Sequence, residues 1–247
     1  MAAQCRIHFQ AALLDQRNSA EKKEERKIWV ETKGASLTAE NSVFIDESPF
    51  SICTTRRRGR SRKGEKATIQ TSGMTGKNHT LICAISPTHG VLHWQIHVTE
   101  PEEEFVSKGP GSEKKKTGPR GVTQDIFCGF LLSLLDLPLF HAQQKRKIVP
   151  LKLVFDNARI HGDKAKEIIF GSGHEMVKLS PYSPALNPIE YAFSKMKFAF
   201  HSQPHDSDEE VDAAIQTALK AITPADCLHY FQHTQSLYPK CSALEDL

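Results

Sequence analysis

The stretch from Leu151 to His201 constrains the fold more than any other part of the sequence. The apolar run "LKLVFDN" (Leu151–Asn157) predicts a strand, "GDKAKEIIFGSG" predicts a short helix stopped by its glycines, and "MVKLS" (Met176–Ser180) predicts another strand. Two strands joined through a helix pair in parallel by a right-handed crossover. This order therefore predicts an α/β fold that contains parallel strands.

Three upstream segments complete the predicted sheet. "SVFIDES" (Ser42–Ser48) predicts a buried strand, and "TLICAIS" (Thr80–Ser86) and "VLHWQIHV" (Val91–Val98) predict a hairpin joined by the turn "PTHG". Hairpin strands are antiparallel, whereas the later strands are parallel. We therefore expect a mixed sheet of about five strands flanked by helices.

Helical periodicity and local start signals predict the remaining elements. Val122–Leu137 carries apolar residues at helical spacing, Ser207 and Glu210 form a capping-box pattern before a helix, and "ADCLHYFQHTQSLY" predicts a last helix. The segment "SKGPGSEKKKTGPRG" is rich in Gly, Pro and Lys, which is typical of a flexible insertion. The expected organisation is a helical segment over 1–40, a central α/β domain over 41–205 with an insertion over 107–121, and a helical tail over 206–247.

Basic residues are concentrated in one run. The whole chain of 247 residues has a net charge of only +3, but "RRRGRSRKGEK" (Arg56–Lys66) holds seven basic residues and one acid, 7 − 1 = +6. Such a run favours a polyanion partner, a nuclear import signal, or simply a solvated loop. The candidate residues for contacts with a polyanion such as DNA are Arg56, Arg57, Arg58, Arg60, Arg62 and Lys63.

Cysteine usage and hydropathy exclude several classes of protein. The six cysteines are scattered without a Cys-x-x-Cys pair, which argues against a zinc ribbon and a secreted disulfide scaffold. The N-terminus lacks the long apolar core of a signal peptide, and the most apolar stretch, Ile126–Phe140, is too short to span a bilayer. We expect reduced thiols, no membrane partner, and a nuclear or cytoplasmic location.

Three acidic residues stand at positions where ligand sites form. Asp46 and Asp156 each follow an apolar strand run, and Glu190 lies in the first turn of a later helix. Carboxylates gathered at the ends of neighbouring parallel strands repel each other unless a hard cation such as Mg²⁺ or Mn²⁺ joins them. Each acid also has an ordinary explanation, because Asp46 fits a turn, Asp156 fits a helix cap, and Glu190 follows Asn187 and Pro188 as in a common helix start.

Three motifs resemble the catalytic blocks of one family. "FIDES", "VFDNARIH" and "SPYSPALNPIEYAFSKMK" occur in the order found in the mariner-like DDE transposases, with 190 − 156 − 1 = 33 residues between the last two acids. The resemblance implies an RNase H-like fold and metal-dependent DNA strand cleavage and strand transfer. It implies that Asp46, Asp156 and Glu190 are the catalytic residues and hold two Mg²⁺ or Mn²⁺ ions. It also implies supporting roles for Asn157, His161 and Asn187.

The resemblance sets further expectations about partners and activity. DNA is the expected partner, a homodimer is a further expectation, and no small-molecule cofactor is expected. Only about 40 residues precede Asp46, without the helix-turn-helix modules usual in the family, so we expect binding that is nearly independent of sequence and a truncated or domesticated transposase. The alternatives are a catalytically inactive DNA-binding or interaction module and another RNase H-like nuclease acting on RNA–DNA hybrids or junctions.

Overall fold

A computed structural model describes residues 17–51, 77–99, 121–145, 150–202, 205 and 207–247. Its strands are β1 (Ser42–Ser51), β2 (Asn78–Ser86), β3 (Gly90–Thr99), β4 (Lys152–Phe155) and β5 (Glu175–Lys178). Its helices are α1 (Ala20–Thr32), α2 (Gln124–Leu135), α3 (Pro138–Lys145), α4 (Asp163–Gly171), α5 (Pro188–Phe200), α6 (Asp208–Lys220), α7 (Pro224–Ser236) and α8 (Tyr238–Ser242). Short 3-10 turns occupy Gly34–Ser36 and Pro184–Leu186.

The strands form one mixed sheet in the order β3-β2-β1-β4-β5. β1, β2 and β3 are antiparallel neighbours, while β4 pairs in parallel with both β1 and β5. The predicted hairpin is confirmed, and its turn ends at Gly90 with a φ of 77°, a conformation that favours glycine. The predicted α/β class, with a mixed five-stranded sheet flanked by helices, is confirmed.

Helices cover both faces of the sheet, and the strands alternate between two cores. In β1, Phe44 and Phe50 face a core completed by α1, α5, α6 and α7, whereas Val43 and Ile45 face a core completed by α2, α3 and α4. This is the period of two expected for a strand buried on both sides. Residues next to each other in β1 therefore serve opposite sides of the sheet.

The first and last described helices contribute to the same core as the sheet. The indole Nε1 of Trp29 in α1 donates a hydrogen bond to the Lys178 carbonyl at 2.8 Å, and its ring meets Tyr238 of α8 edge-on. Trp29, Phe231 of α7 and Cys241 of α8 are all buried in this core. Both flanking helical segments pack on the core of the central sheet. The domain boundaries predicted near residues 41 and 206 stay a prediction.

Two expectations about the elements are wrong. β1 does not end at Ser48, as predicted, but continues to Ser51, because β2 pairs with it from Phe44 to Ser51. Helices α3 and α8 were not expected, since Pro138 and Pro239 indicate breaks although proline is tolerated in the first turn of a helix. The Arg56–Lys66 run and residues 107–120 of the predicted insertion lie outside the described residues.

No helix in the described part of the chain combines the length and apolar character required to cross a membrane.

Candidate functional site

One cavity of about 700 Å³ opens where β1, β4 and β5 meet the start of α5. Its walls include the three predicted catalytic carboxylates, Asp46, Asp156 and Glu190, together with the predicted supporting residues Asn157 and Asn187. The sheet explains why the acids come together. The structure thus brings to one place residues that the sequence separates by up to 190 − 46 = 144 positions.

Strand register aligns the two aspartates. The parallel pairing of β1 with β4 runs from Ser42 opposite Lys152 to Phe44 opposite Val154, a constant offset of 152 − 42 = 110. Asp156 has the same offset from Asp46, 156 − 46 = 110, so the two aspartates stand at equivalent positions just beyond the paired segment. Both follow the parity of Phe44 and Val154, whose side chains face the core that contains α5.

Asp46 is the most deeply buried of the three acids, with 9% of the residue exposed. Its Oδ1 accepts a hydrogen bond from the Glu47 backbone N–H at 2.8 Å, and its Oδ2 accepts one from Asn187 Nδ2 at 2.9 Å. Burial, assisted by the negative charges of Glu47, Asp156 and Glu190, raises the pKa of Asp46 to about 7. Without a cation, this carboxyl group is therefore only partly ionised at neutral pH.

Asn187 occupies the residue before α5, but its side chain does not cap the helix. The amide nitrogen points instead to Asp46, and the amide oxygen Oδ1 is buried without a hydrogen-bond partner among the described residues. A buried polar atom without a partner is costly and points to a missing donor. The common-helix-start explanation therefore does not account for the asparagine at this position.

Glu190 follows in the first turn of α5 and is directed by that helix to the cavity. Burial raises the pKa of Glu190, the Lys197 ammonium opposes this shift, and the Asp156 charge adds to it. The helix dipole favours an acid in the first turn of any helix, so this position alone does not indicate a catalytic role for Glu190. The observation that distinguishes Glu190 is the shared cavity with two strand-borne aspartates.

His161 joins Asp156 to Glu47, an acid that the motifs did not place in the predicted site. Its Nδ1 lies 2.9 Å from Asp156 Oδ1 and its Nε2 lies 3.2 Å from Glu47 Oε1, and the imidazole is fully buried. Burial alone would lower the pKa of His161, but the bonds to Asp156 and Glu47 outweigh it and raise the pKa to about 9. The imidazolium therefore donates from both ring nitrogens, and its Nδ1–H holds the Asp156 carboxylate in place.

Asp156 is consequently held by two donors on one oxygen. Its Oδ1 also accepts from the Ala158 backbone N–H at 2.8 Å. The hydrogen bond from His161 lowers the pKa of Asp156 despite its partial burial. The adjacent Asn157 donates from Nδ2 to the Leu179 carbonyl at 2.8 Å, which ties this segment to the end of β5.

The donor chemistry of the cavity suits a hard divalent cation. It supplies carboxylate oxygens, mutual repulsion that a cation would relieve, and an amide oxygen without a partner. The side chains are not gathered into a ready ligand cluster, because no group of three or more His, Cys, Asp or Glu among the described residues is arranged to hold a metal. The residues therefore fit a cation by chemistry and charge, and their carboxylates would have to converge further to coordinate it.

Sequence comparison locates a family match in the second half of the chain. Residues 122–212 match a family described as DDE superfamily endonuclease, and this segment includes Asp156 and Glu190. A comparison with curated protein sequences finds no significant match.

Solved structures of Mos1 transposase share the fold. The Mos1 mariner paired end complex with Mn superposes with a TM-score of 0.67 and 18% identity over 92% of this chain and 62% of that chain. The Mos1 paired-end complex with left transposon end gives 0.66 and 20% over 92% and 62%. The catalytic domain of Mos1 mariner transposase gives 0.63 and 16% over 92% and 93%.

The chain therefore spans about 62% of the Mos1 chains in the paired-end complexes, and it aligns with 93% of the isolated catalytic domain. At identities of 16–20% the superposition shows the fold alone. The family match adds the segment that carries the second and third acids. The resemblance to the mariner-like DDE transposases is thus confirmed, and the chain has the RNase H-like fold of their catalytic domain.

Proposed function

We propose that this chain is a DDE-type catalytic domain that cleaves DNA strands and transfers them with the help of divalent cations. The observation that supports this most directly is the shared cavity of Asp46, Asp156 and Glu190 on an RNase H-like sheet. The family match over residues 122–212 agrees with it. The Mn named for one Mos1 complex supports the cation.

Each acid would have a role set by its partners. Asp46, Asp156 and Glu190 would hold two Mg²⁺ or Mn²⁺ ions, which supply activation of a water or hydroxyl and stabilisation of the leaving oxygen. Asn187 orients Asp46, and the Glu47–His161 pair orients Asp156, so that both carboxylates are held at the cavity wall. Because Asn187 and His161 are buried, they hold the two aspartates in these orientations before DNA binds.

DNA is the proposed partner. Three acids repel a phosphate backbone, so cations near the cavity must hold the strand. Lys178 and Lys197 act electrostatically on Asp156 and Glu190, respectively, and they are the proposed lysine contacts for the strand, although neither lines the cavity. The arginine-rich run Arg56–Lys66 is the proposed second source of phosphate contacts, and it equally fits a nuclear import signal. A homodimer belongs to the same proposal and rests on the resemblance to the mariner-like transposases.

The test is nicking of supercoiled plasmid DNA in Mn²⁺. We expect Asp46→Ala, Asp156→Ala and Glu190→Ala each to lower the nicking rate by about 100-fold or more, since each removes charge from the reacting site. Glu209→Ala is the matched control for Glu190, because both acids lie in the first turn of a helix and Glu209 lies outside the cavity. The control should nick like the wild type.

The outcomes separate the candidate functions. Unchanged nicking by Glu190→Ala would show that Glu190 belongs only to an ordinary helix start and is not catalytic. A wild type that binds DNA without nicking it would support the inactive DNA-binding module. Faster cleavage of an RNA–DNA hybrid than of DNA would favour another RNase H-like nuclease.

A further inference from the structure

Tyr182 is an exposed aromatic side chain on the wall of the catalytic cavity. It lies in the loop between β5 and the 3-10 turn, lines the cavity with the three acids, and is 64% exposed. Its φ is 54°, in the left-handed region. A bulky residue with such a φ is uncommon, and strain of this kind persists only where the surroundings impose it.

The loop around Tyr182 is braced on both sides. Pro181 and Pro184 restrict the backbone, and the hydroxyl of the buried Ser183 donates to the Pro181 carbonyl at 3.0 Å. Upstream, Leu179 N donates to the Phe155 carbonyl at 2.8 Å. These contacts brace the backbone on both sides of Tyr182 and so place its side chain at the rim of the cavity.

Burial does not explain this arrangement. A residue that is 64% exposed gains little from the hydrophobic effect, and the Lys22 ammonium lies 5.7 Å from the centroid of its ring. Lys22 is already bound to Glu25 at 2.7 Å. An exposed ring on a braced loop beside the proposed phosphodiester site is instead what base stacking requires, because every nucleobase presents an aromatic face.

We propose that Tyr182 is a stacking platform for an unpaired nucleobase of the DNA strand whose phosphate lies in the cavity. The inference rests on the proposed function. Within a duplex both faces of a base are covered by its neighbours, so the ring can receive only a base that is single-stranded or turned out of the stack. Stacking tolerates any base, which agrees with the expectation of binding that is nearly independent of sequence.

The test compares two labelled oligonucleotide duplexes that differ in one position. One is fully paired, and the other has a single unpaired 2-aminopurine beside the central phosphate. Binding is measured by fluorescence anisotropy in Ca²⁺, an oxygen-preferring cation, and 2-aminopurine emission reports stacking. The wild type should bind the unpaired probe more tightly than the paired one.

Tyr182→Ala should weaken binding to the unpaired probe by about 5- to 150-fold and barely change binding to the paired probe. Tyr182→Phe retains the ring and should behave as the wild type. Tyr182→Gly accommodates the positive φ without strain and should fold while still losing the preference. Phe170→Ala is the matched control, because Phe170 is 60% exposed under the Lys166 ammonium at 6.0 Å but lies outside the cavity.

Equal affinity of the wild type for the two probes overturns the platform, and so does an unchanged preference in Tyr182→Gly. If the protein nicks plasmid DNA in either case, the proposed function stands without the platform. If the wild type binds neither probe and nicks nothing, the proposed function fails and the platform fails with it.

Discussion

Asp46 and Asp156 are each oriented by one buried side chain. Asn187 reaches Asp46 from the start of α5, and His161 reaches Asp156 from the loop after β4. Both partners had been predicted as supporting residues from the motifs that contain them. Their partners could not be predicted, because a motif gives the order of residues and not the direction of an amide or imidazole.

Replacement of Asn187 separates its bond to Asp46 from helix capping. We expect Asn187→Ala to lower the free energy of unfolding by about 1.5–3 kcal/mol at pH 8 and by less at pH 5, because a hydrogen bond to an ionised carboxylate is stronger than one to a protonated acid. Ser207→Ala is the control, since Ser207 Oγ caps α6 by accepting from Glu210 N at 3.2 Å. Its loss of about 1 kcal/mol should not change with pH.

Urea unfolding in a chelating buffer at both pH values measures the two variants. An equal loss at pH 5 and pH 8 for Asn187→Ala would contradict the assigned bond. A loss that grows with pH in Asn187→Ala alone would support it.

Glu47 shows where residue-level prediction failed. It follows Asp46 in β1, and neighbours in a strand face opposite sides of the sheet, so it was not expected to serve the same site. His161 connects the two sides because its loop passes over the end of β4 and presents both ring nitrogens. The acidic pair Asp46–Glu47 and the histidine of "DNARIH" were visible in the sequence, but only the path of that loop joins them.

At the scale of elements, apolar runs and turn residues were sufficient for every strand of the described sheet. The runs gave the positions of β1 to β5, and strand order along the chain gave parallel or antiparallel pairing. Strand ends were less predictable, since β1 extends beyond Ser48 only because β2 pairs with it. Helices that begin at or beside proline, such as α3, were missed because local chemistry permits either a break or a start there.

The prolines between β5 and α5 should matter more for activity than for stability. Pro184 begins the 3-10 turn and Pro188 begins α5, which carries Glu190. The double variant Pro184→Ala/Pro188→Ala should lose about 1–2 kcal/mol of unfolding free energy, because the unfolded chain gains conformations. Nicking should fall by about tenfold or more, since looser positioning of Glu190 weakens the site.

Pro138→Ala is the matched control for that experiment. Pro138 is also the first residue of its helix, α3, and it lies outside the cavity. Nicking and urea unfolding are measured well below the unfolding temperature of all three proteins. A fall in nicking by Pro138→Ala as large as that of the double variant would trace the effect to general destabilisation.

At the scale of the whole molecule, the cavity lies where the two cores of the sheet come together. Asp46, Asn187 and Glu190 belong to the side of α5, whereas Glu47 and His161 belong to the side of α2 and α4. The low polarity that raises the pKa of Asp46 is therefore produced by both layers together. The motif identifies the acid but does not predict this pKa shift, which depends on how completely distant helices exclude water.

The metal-free protein should lose stability as pH rises through the titration of Asp46. The pKa of this carboxyl is about 7 in the folded protein and 3.8 as its ordinary value, so the folded state binds more protons between these values. Stability falls as pH rises wherever the folded state binds more protons than the unfolded state. The titration of Asp46 should therefore lower the free energy of unfolding by about 2–3 kcal/mol between pH 5 and pH 8. Urea unfolding with EDTA across this range, for the wild type and Asp46→Asn, measures the difference. The titration of His161, with its pKa raised to about 9, occurs in both proteins and cancels.

Mn²⁺ added at pH 8 should restore stability to the wild type and much less to Asp46→Asn, because a ligand stabilises the folded state only as far as it binds there. Parallel pH curves for the two proteins would show that Asp46 is ionised throughout and that the core does not control its charge.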